Sequence, residues 1–190
     1  MFRSLAVSTT SPEETRILGA SLAPVLVPGD VVSLSGDLGA GKTVFVQGLA
    51  AALAVPGRIT SPSFAIVHEY FGRFRILHVD VYRLRSFQEV IDLGFDEFFD
   101  PEAIMLVEWG EAVSPLLPPR YLDLDIRRSV DLDASSLRDM VFRPRGEEWV
   151  GKLEKMRKTA ETLLDAASEN HSKGERFRYA PTPAARDDRG

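Results

Sequence analysis

Eight residues, Gly36-Asp37-Leu38-Gly39-Ala40-Gly41-Lys42-Thr43, fit the spacing G-x-x-x-x-G-K-[ST]. Glycines let a backbone wrap a phosphate closely with its N–H groups inward, and a helix starting at the loop's end turns its positive pole to the same anion. Lys42 is then placed to reach β- and γ-phosphates, and the Thr43 hydroxyl to ligate Mg2+. A plain glycine turn has similar composition, so the flanks decide. "VVSLS" before the loop reads as a buried strand and "TVFVQGLAAALA" after it as a helix, which is the context a nucleotide loop requires.

Magnesium beside a bound phosphate also needs a carboxylate, commonly from a neighbouring strand end. "RILHVD" ends in Asp80 and "AIMLVE" ends in Glu108, each after a mostly apolar run typical of an interior strand. Ligands of open parallel sheets gather at the strands' carboxyl ends, where both acids would project. The plainer alternative for each is a solvated carboxylate; both Asp80 and Glu108 are expected to contribute to the metal, directly or through metal-bound water. Guanine readers of the GTPase type carry N/T-K-x-D; the chain has no T-K-x-D and its one Asn is Asn170, so ATP is the expected nucleotide.

These groups need an α/β scaffold: a P-loop NTPase fold with a mainly parallel sheet, antiparallel edge strands and flanking helices. Ser11-Pro12-Glu13-Glu14 combines an N-cap, a proline at the first helical position and a capping-box glutamate, predicting a helix to about Ala23. Pro28-Gly29-Asp30 is a turn. "YLDLDI", "VDLDA" and "LRDMVFRP" alternate apolar with polar residues, as strands with one exposed face do. Residues 1–146 read as the P-loop domain. Trp149, Leu153, Met156, Leu163 and Leu164 recur at helical spacing and predict a helix over 147–168, whereas 169–190 is polar without periodicity and reads as a disordered tail.

Composition narrows the chemistry further. With no cysteine, disulfides and thiolate metal sites are excluded, and three histidines leave little for an imidazole metal centre, so a metal would be held by oxygen. Lys and Arg number 23 against 28 Asp and Glu. The net charge of −5 resides in 1–146, and it gives no bulk attraction for phosphate backbones. Apolar runs are short and the N-terminal stretch lacks a signal peptide's core, so a cytoplasmic protein with no membrane association is expected.

The assembled motifs resemble the TsaE family of bacterial tRNA threonylcarbamoyladenosine biosynthesis. Besides "GDLGAGKT", the resemblance rests on "TSPSF" (60–64), "HVDVYRL" (78–84), "DLGFDEFF" (92–99) and "VEWGE" (107–111), and it covers about residues 10–145. It implies an ATPase that works with the TsaD and TsaB proteins, whose complex modifies adenosine 37 of certain tRNAs; tRNA is then met only through that complex. By position, Gly36 to Lys42 would bind the phosphates, while Thr43 and Glu108 would hold Mg2+. Asp80 would act near the metal and the attacking water, and the Thr60 to Phe64 loop, with Thr60 and Ser63 as its nucleotide-binding residues, would form a switch-like segment against the γ-phosphate. Ser63 stands where the family commonly has Thr, keeping the hydroxyl. Lys42, Asp80 and Glu108 are the expected catalytic residues.

Several neighbours have two readings. Trp109 is either core or partner-facing, and Tyr82-Arg83 either a contact or plain surface. His68 and His78 lack metal spacing and read as structural. Phe95, Phe98 and Phe99 either cap the core or face a partner. Arg58, Arg83 and Arg127 are candidate charge stabilisers, with none singled out, so slow intrinsic hydrolysis is expected. Rival functions are a small-molecule kinase, which needs an acceptor pocket, and a nucleotide-dependent binding switch without significant hydrolysis.

Overall fold

Local chemistry sets the first helix. Ser11, extended at φ −148° and ψ 161°, caps it by accepting from the Glu14 N–H at 3.1 Å, and Pro12 follows at its first position. The reciprocal bond of a capping box falls one residue early, because the Glu14 carboxylate accepts from the N–H and the hydroxyl of Thr10.

A computed structural model describes residues 3–62, 66–84, 87–128, 137–167 and 176–181. In chain order they form β1 (Arg3–Thr9), α1 (Pro12–Leu22), β2 (Val31–Ser35), α2 (Lys42–Ala52), β3 (Val67–Phe71) and β4 (Arg75–Asp80). There follow α3 (Phe87–Asp92), β5 (Ala103–Glu108), β6 (Tyr121–Arg128), β7 (Arg138–Arg145), α4 (Glu147–Ala167) and β8 (Phe177–Pro181). Short 3₁₀ turns occupy Ala23–Val25, Phe95–Phe98 and Gly110–Leu116. "VDLDA" lies outside the described residues.

One mixed sheet runs β3-β4-β5-β2-β6-β7-β1-β8. β4, β5, β2 and β6 are mutually parallel; β3 at one edge and β7, β1 and β8 at the other are antiparallel. The sheet is therefore about evenly mixed, a correction to the mainly parallel expectation. The reason lies in β1 and β8, which sequence reasoning missed. The buried face of β1 carries only two apolar residues, Leu5 and Val7, beside the polar Thr9. β8 belongs to the stretch read as a disordered tail, and Phe177–Pro181 is too short to show a period. Its order comes from pairing with β1, reinforced by an Arg176–Glu14 bridge of 2.9 Å and a Tyr179 hydroxyl bond to Glu154.

Strand alternation sorts two cores. Leu5, Val7, Val32, Leu34, Leu124, Ile126 and Phe142 pack against α1, α2 and α4. On the other face Val79, Met105 and Val107 pack beneath Val90, Phe95, Val113 and Leu117. Phe98 and Phe99 meet Phe95 edge-on, so the phenylalanines close this second core. All six residues of β5 are buried, as befits a strand with neighbours on both sides and layers on both faces. Pro144 in β7 lies past the end of the β1 ladder, which runs from Phe142 to Arg138, so its missing N–H breaks no bond there.

α4 belongs to the first core through Trp149, Leu153, Met156, Ala160 and Leu164. Among the described residues no helix is long and apolar enough to cross a membrane. Trp149 is 1% exposed, so Trp149→Ala should cost about 3–5 kcal/mol in urea unfolding. An unchanged midpoint would mean that α4 is detached from the sheet in solution.

Candidate functional site

The loop from Gly36 to Gly41 joins the end of β2 to the start of α2. Gly36, Gly39 and Gly41 all take positive φ, at 125°, 73° and 117°. At Gly36 a side chain is excluded twice over, since a Cβ there would also collide with the carbonyl oxygen of Ile126 in β6. Crossovers leaving β2 and β5 pass on opposite faces of the sheet, α2 on one and the Gly110–Leu116 turn on the other. The loop thus sits at a switch point, over the carboxyl ends of β2 and β5.

Both sequence-identified acids converge there. Asp80 and Glu108 are register partners at the ends of β4 and β5, and each is 3% exposed. Glu108 Oε1 accepts from the Thr43 hydroxyl at 2.9 Å and is 3.0 Å from His78 Nε2. Because an ionised carboxylate only accepts, His78 carries its proton on Nε2. His78 Nδ1 is buried without a partner among the described residues, a cost that the Glu108 bond offsets. Asp80 is oriented differently, with Ser61 donating to Oδ2 and the Tyr82 N–H to Oδ1 at 2.9 Å.

Lys42 lies across the concave side of the loop. Its ammonium donates to the carbonyls of Gly36 and, at 3.1 Å, of Asp37, and stands 3.8 Å from the centroid of the Trp109 ring. Burial holds the ammonium below the ordinary lysine pKa, against an opposing pull from Glu108, Glu111, Asp80 and Asp37. A bound anion would supply the charge that this pocket withholds. Trp109 is in the left-handed region at φ 63° and ψ 35°, which costs a non-glycine residue about 1–2 kcal/mol. Its N–H bonds to Leu34 O at 2.8 Å and its ring stacks on Tyr82 at 4.8 Å, so the conformation is held from both sides. Ile66, also at positive φ (69°), accepts from the Asp80 N–H at 2.8 Å.

Of the expected residues, the structure brings together Gly36 to Thr43, Asp80 and Glu108. Thr60 is exposed, its carbonyl accepting from the Tyr70 hydroxyl at 3.2 Å, and it is the adjacent Ser61 that meets Asp80. Ser63 lies outside the described residues. Arg127 pairs with Asp125 at 2.8 Å and lines a polar cleft of about 620 Å³ on the sheet face away from α2. Arg58 and Arg83 are exposed. Arg128 and Arg138 instead reach the loop, donating to the carbonyls of Gly39 and Ala40. Sequence reasoning missed these two; it held Ser61 within the 60–64 segment without a role of its own and read His78 as structural without naming Glu108 as its partner. The only signal was "HVD", whose histidine and aspartate alternate about Val79, and alternation alone does not name a partner strand.

Comparison with known proteins identifies the family and a similar fold. Residues 9–136 match the family model of TsaE, the threonylcarbamoyl adenosine biosynthesis protein. The tRNA threonylcarbamoyladenosine biosynthesis protein TsaE of Bacillus subtilis is 41% identical over 130 residues, covering 68% of this chain and 81% of that protein. Its counterpart in Treponema pallidum is 39% identical over 121 residues, covering 64% and 90%. The crystal structure of Bacillus subtilis YdiB superposes with a TM-score of 0.71 at 34% identity, covering 83% of this chain and 97% of YdiB.

The geometry at Gly36 makes a direct prediction. Gly36→Ala should lower unfolding free energy by about 1–3 kcal/mol, from the forced φ and the collision with Ile126. Urea denaturation indistinguishable from wild type would show that the loop has room the structure denies it.

Proposed function

The chain belongs to the TsaE family, and we propose that it is the P-loop ATPase of tRNA threonylcarbamoyladenosine biosynthesis, acting on the TsaD–TsaB complex in the cytoplasm. The observation that carries this reading is the Thr43–Glu108 contact at 2.9 Å, made at the mouth of a strand–glycine loop–helix unit. A hydroxyl and a buried carboxylate held that close form a hard-oxygen pair suited to Mg2+. Among the described residues no three His, Asp or Glu side chains form a metal cage. That fits an ion that keeps its waters and takes further ligands from phosphate oxygens.

In this reading Thr43 and Glu108 hold the magnesium, and His78 fixes the Glu108 carboxylate from below. Such an ion, when bound, would supply charge neutralisation to the nucleotide's phosphates. Lys42 leaves its carbonyl acceptors for those oxygens, and the loop's N–H groups receive the rest of the charge. Asp80, oriented by Ser61 and Tyr82, is placed to align the attacking water. Direct tRNA binding is no part of the proposal; tRNA meets the chain through TsaD–TsaB.

ATP hydrolysis by the full chain, alone and with TsaD–TsaB, tests the reading. Slow turnover that the partners stimulate is expected, reduced at least about 100-fold by Lys42→Ala and by Glu108→Ala. Wild-type chain that binds ATP yet never hydrolyses it, with those partners present, would contradict the ATPase assignment.

A further inference from the structure

A cradle of N–H groups works only if the peptide planes that carry them are held in one orientation. In a trans peptide the C=O and the next residue's N–H point opposite ways, so fixing the carbonyl from outside aims the N–H inward. Arg128, the last residue of β6, donates through Nε and Nη2 to Gly39 O at 3.3 and 3.1 Å. Arg138, the first residue of β7, donates through Nε to Ala40 O at 2.8 Å. These carbonyls belong to two consecutive peptide planes at the loop's centre. The N–H of the first plane, on Ala40, points to Asp37 O at 3.1 Å, the oxygen that also accepts from Lys42.

A further observation shows that the arrangement is specified. Arg128 and Arg138 are register partners across the β6–β7 ladder, a like-charge juxtaposition that is unfavourable in isolation. A Cβ on Gly39 would meet only the tip of the flexible Arg128 side chain, while the positive φ of 73° there favours glycine in its own right.

We propose that Arg128 and Arg138 are positioning residues on the outer side of the loop: Arg138 holds the Ala40–Gly41 peptide plane with the Gly41 N–H turned toward an anion, and Arg128 holds the Gly39–Ala40 plane in the turn that the Ala40 N–H closes on Asp37 O. The proposal rests on the reading of this loop as a nucleotide-phosphate cradle. It ties the cradle's shape to the antiparallel β6–β7 pair, where Arg128 ends one strand and Arg138 begins the next.

Calorimetric titration of the full chain with inorganic pyrophosphate, ADP and ATP tests it, for wild type, Arg128→Ala, Arg138→Ala and Arg138→Lys. Both alanine variants should weaken all three ligands by a common factor of about ten, with partial recovery in Arg138→Lys. In the ligand-free Arg138→Ala protein the Gly41 amide resonance should already be displaced, which a residue that only touched phosphate would not cause. Full affinity in both alanine variants overturns the proposal. So does a loss confined to ATP, to ADP and ATP but not pyrophosphate, or to ligand-bound chain with an unmoved Gly41 amide. Wild type that binds none of the three ligands overturns the nucleotide reading itself, a result distinct from any difference among variants.

Discussion

Glu108 is a carboxylate inside the protein, and such a group is tolerated only where donors meet it. Thr43 comes to it from the first turn of α2 and His78 from the middle of β4, while the Lys42 ammonium adds a favourable field. That convergence demands parallel pairing of β5 with both β2 and β4 at fixed register, and a loop short enough to start α2 directly above β5. Slipping β4 by one residue would turn His78 to the opposite face and leave Glu108 one donor short. The sheet order around β5 is therefore a condition for burying this acid with its donors in place.

The state of Lys42 follows from the same constraint. Its ammonium, partly stripped of water, rests on two loop carbonyls and the Trp109 ring. Those contacts are weaker than a phosphate's, and a polyanion would exchange them for charge-assisted bonds. Trp109 sits in a strained conformation because the chain must turn sharply after Glu108, and that turn brings its ring beneath the lysine.

Much of this was legible in the sequence, because motif and flank are local. The glycine loop, the strands ending in Asp80 and Glu108, and the Ser11 cap all stand where spacing put them. What escaped was long-range. Arg138 is 98 residues from the loop carbonyl it holds, and nothing in its neighbourhood announces that partner. β1 buries only two apolar residues and β8 is five residues long, and each pairs with an antiparallel neighbour that sequence periodicity does not reveal. Ser61 was passed over for Thr60 because both carry a hydroxyl, and only the fold shows which one meets Asp80.

The proposed holding of Mg2+ by Thr43 and Glu108 is tested by measuring ADP affinity with and without Mg2+, in wild type and in Glu108→Gln. Mg2+ should tighten ADP binding about tenfold in wild type. In the variant that Mg2+ effect should disappear while metal-free ADP affinity persists. An undiminished Mg2+ effect in Glu108→Gln would contradict it.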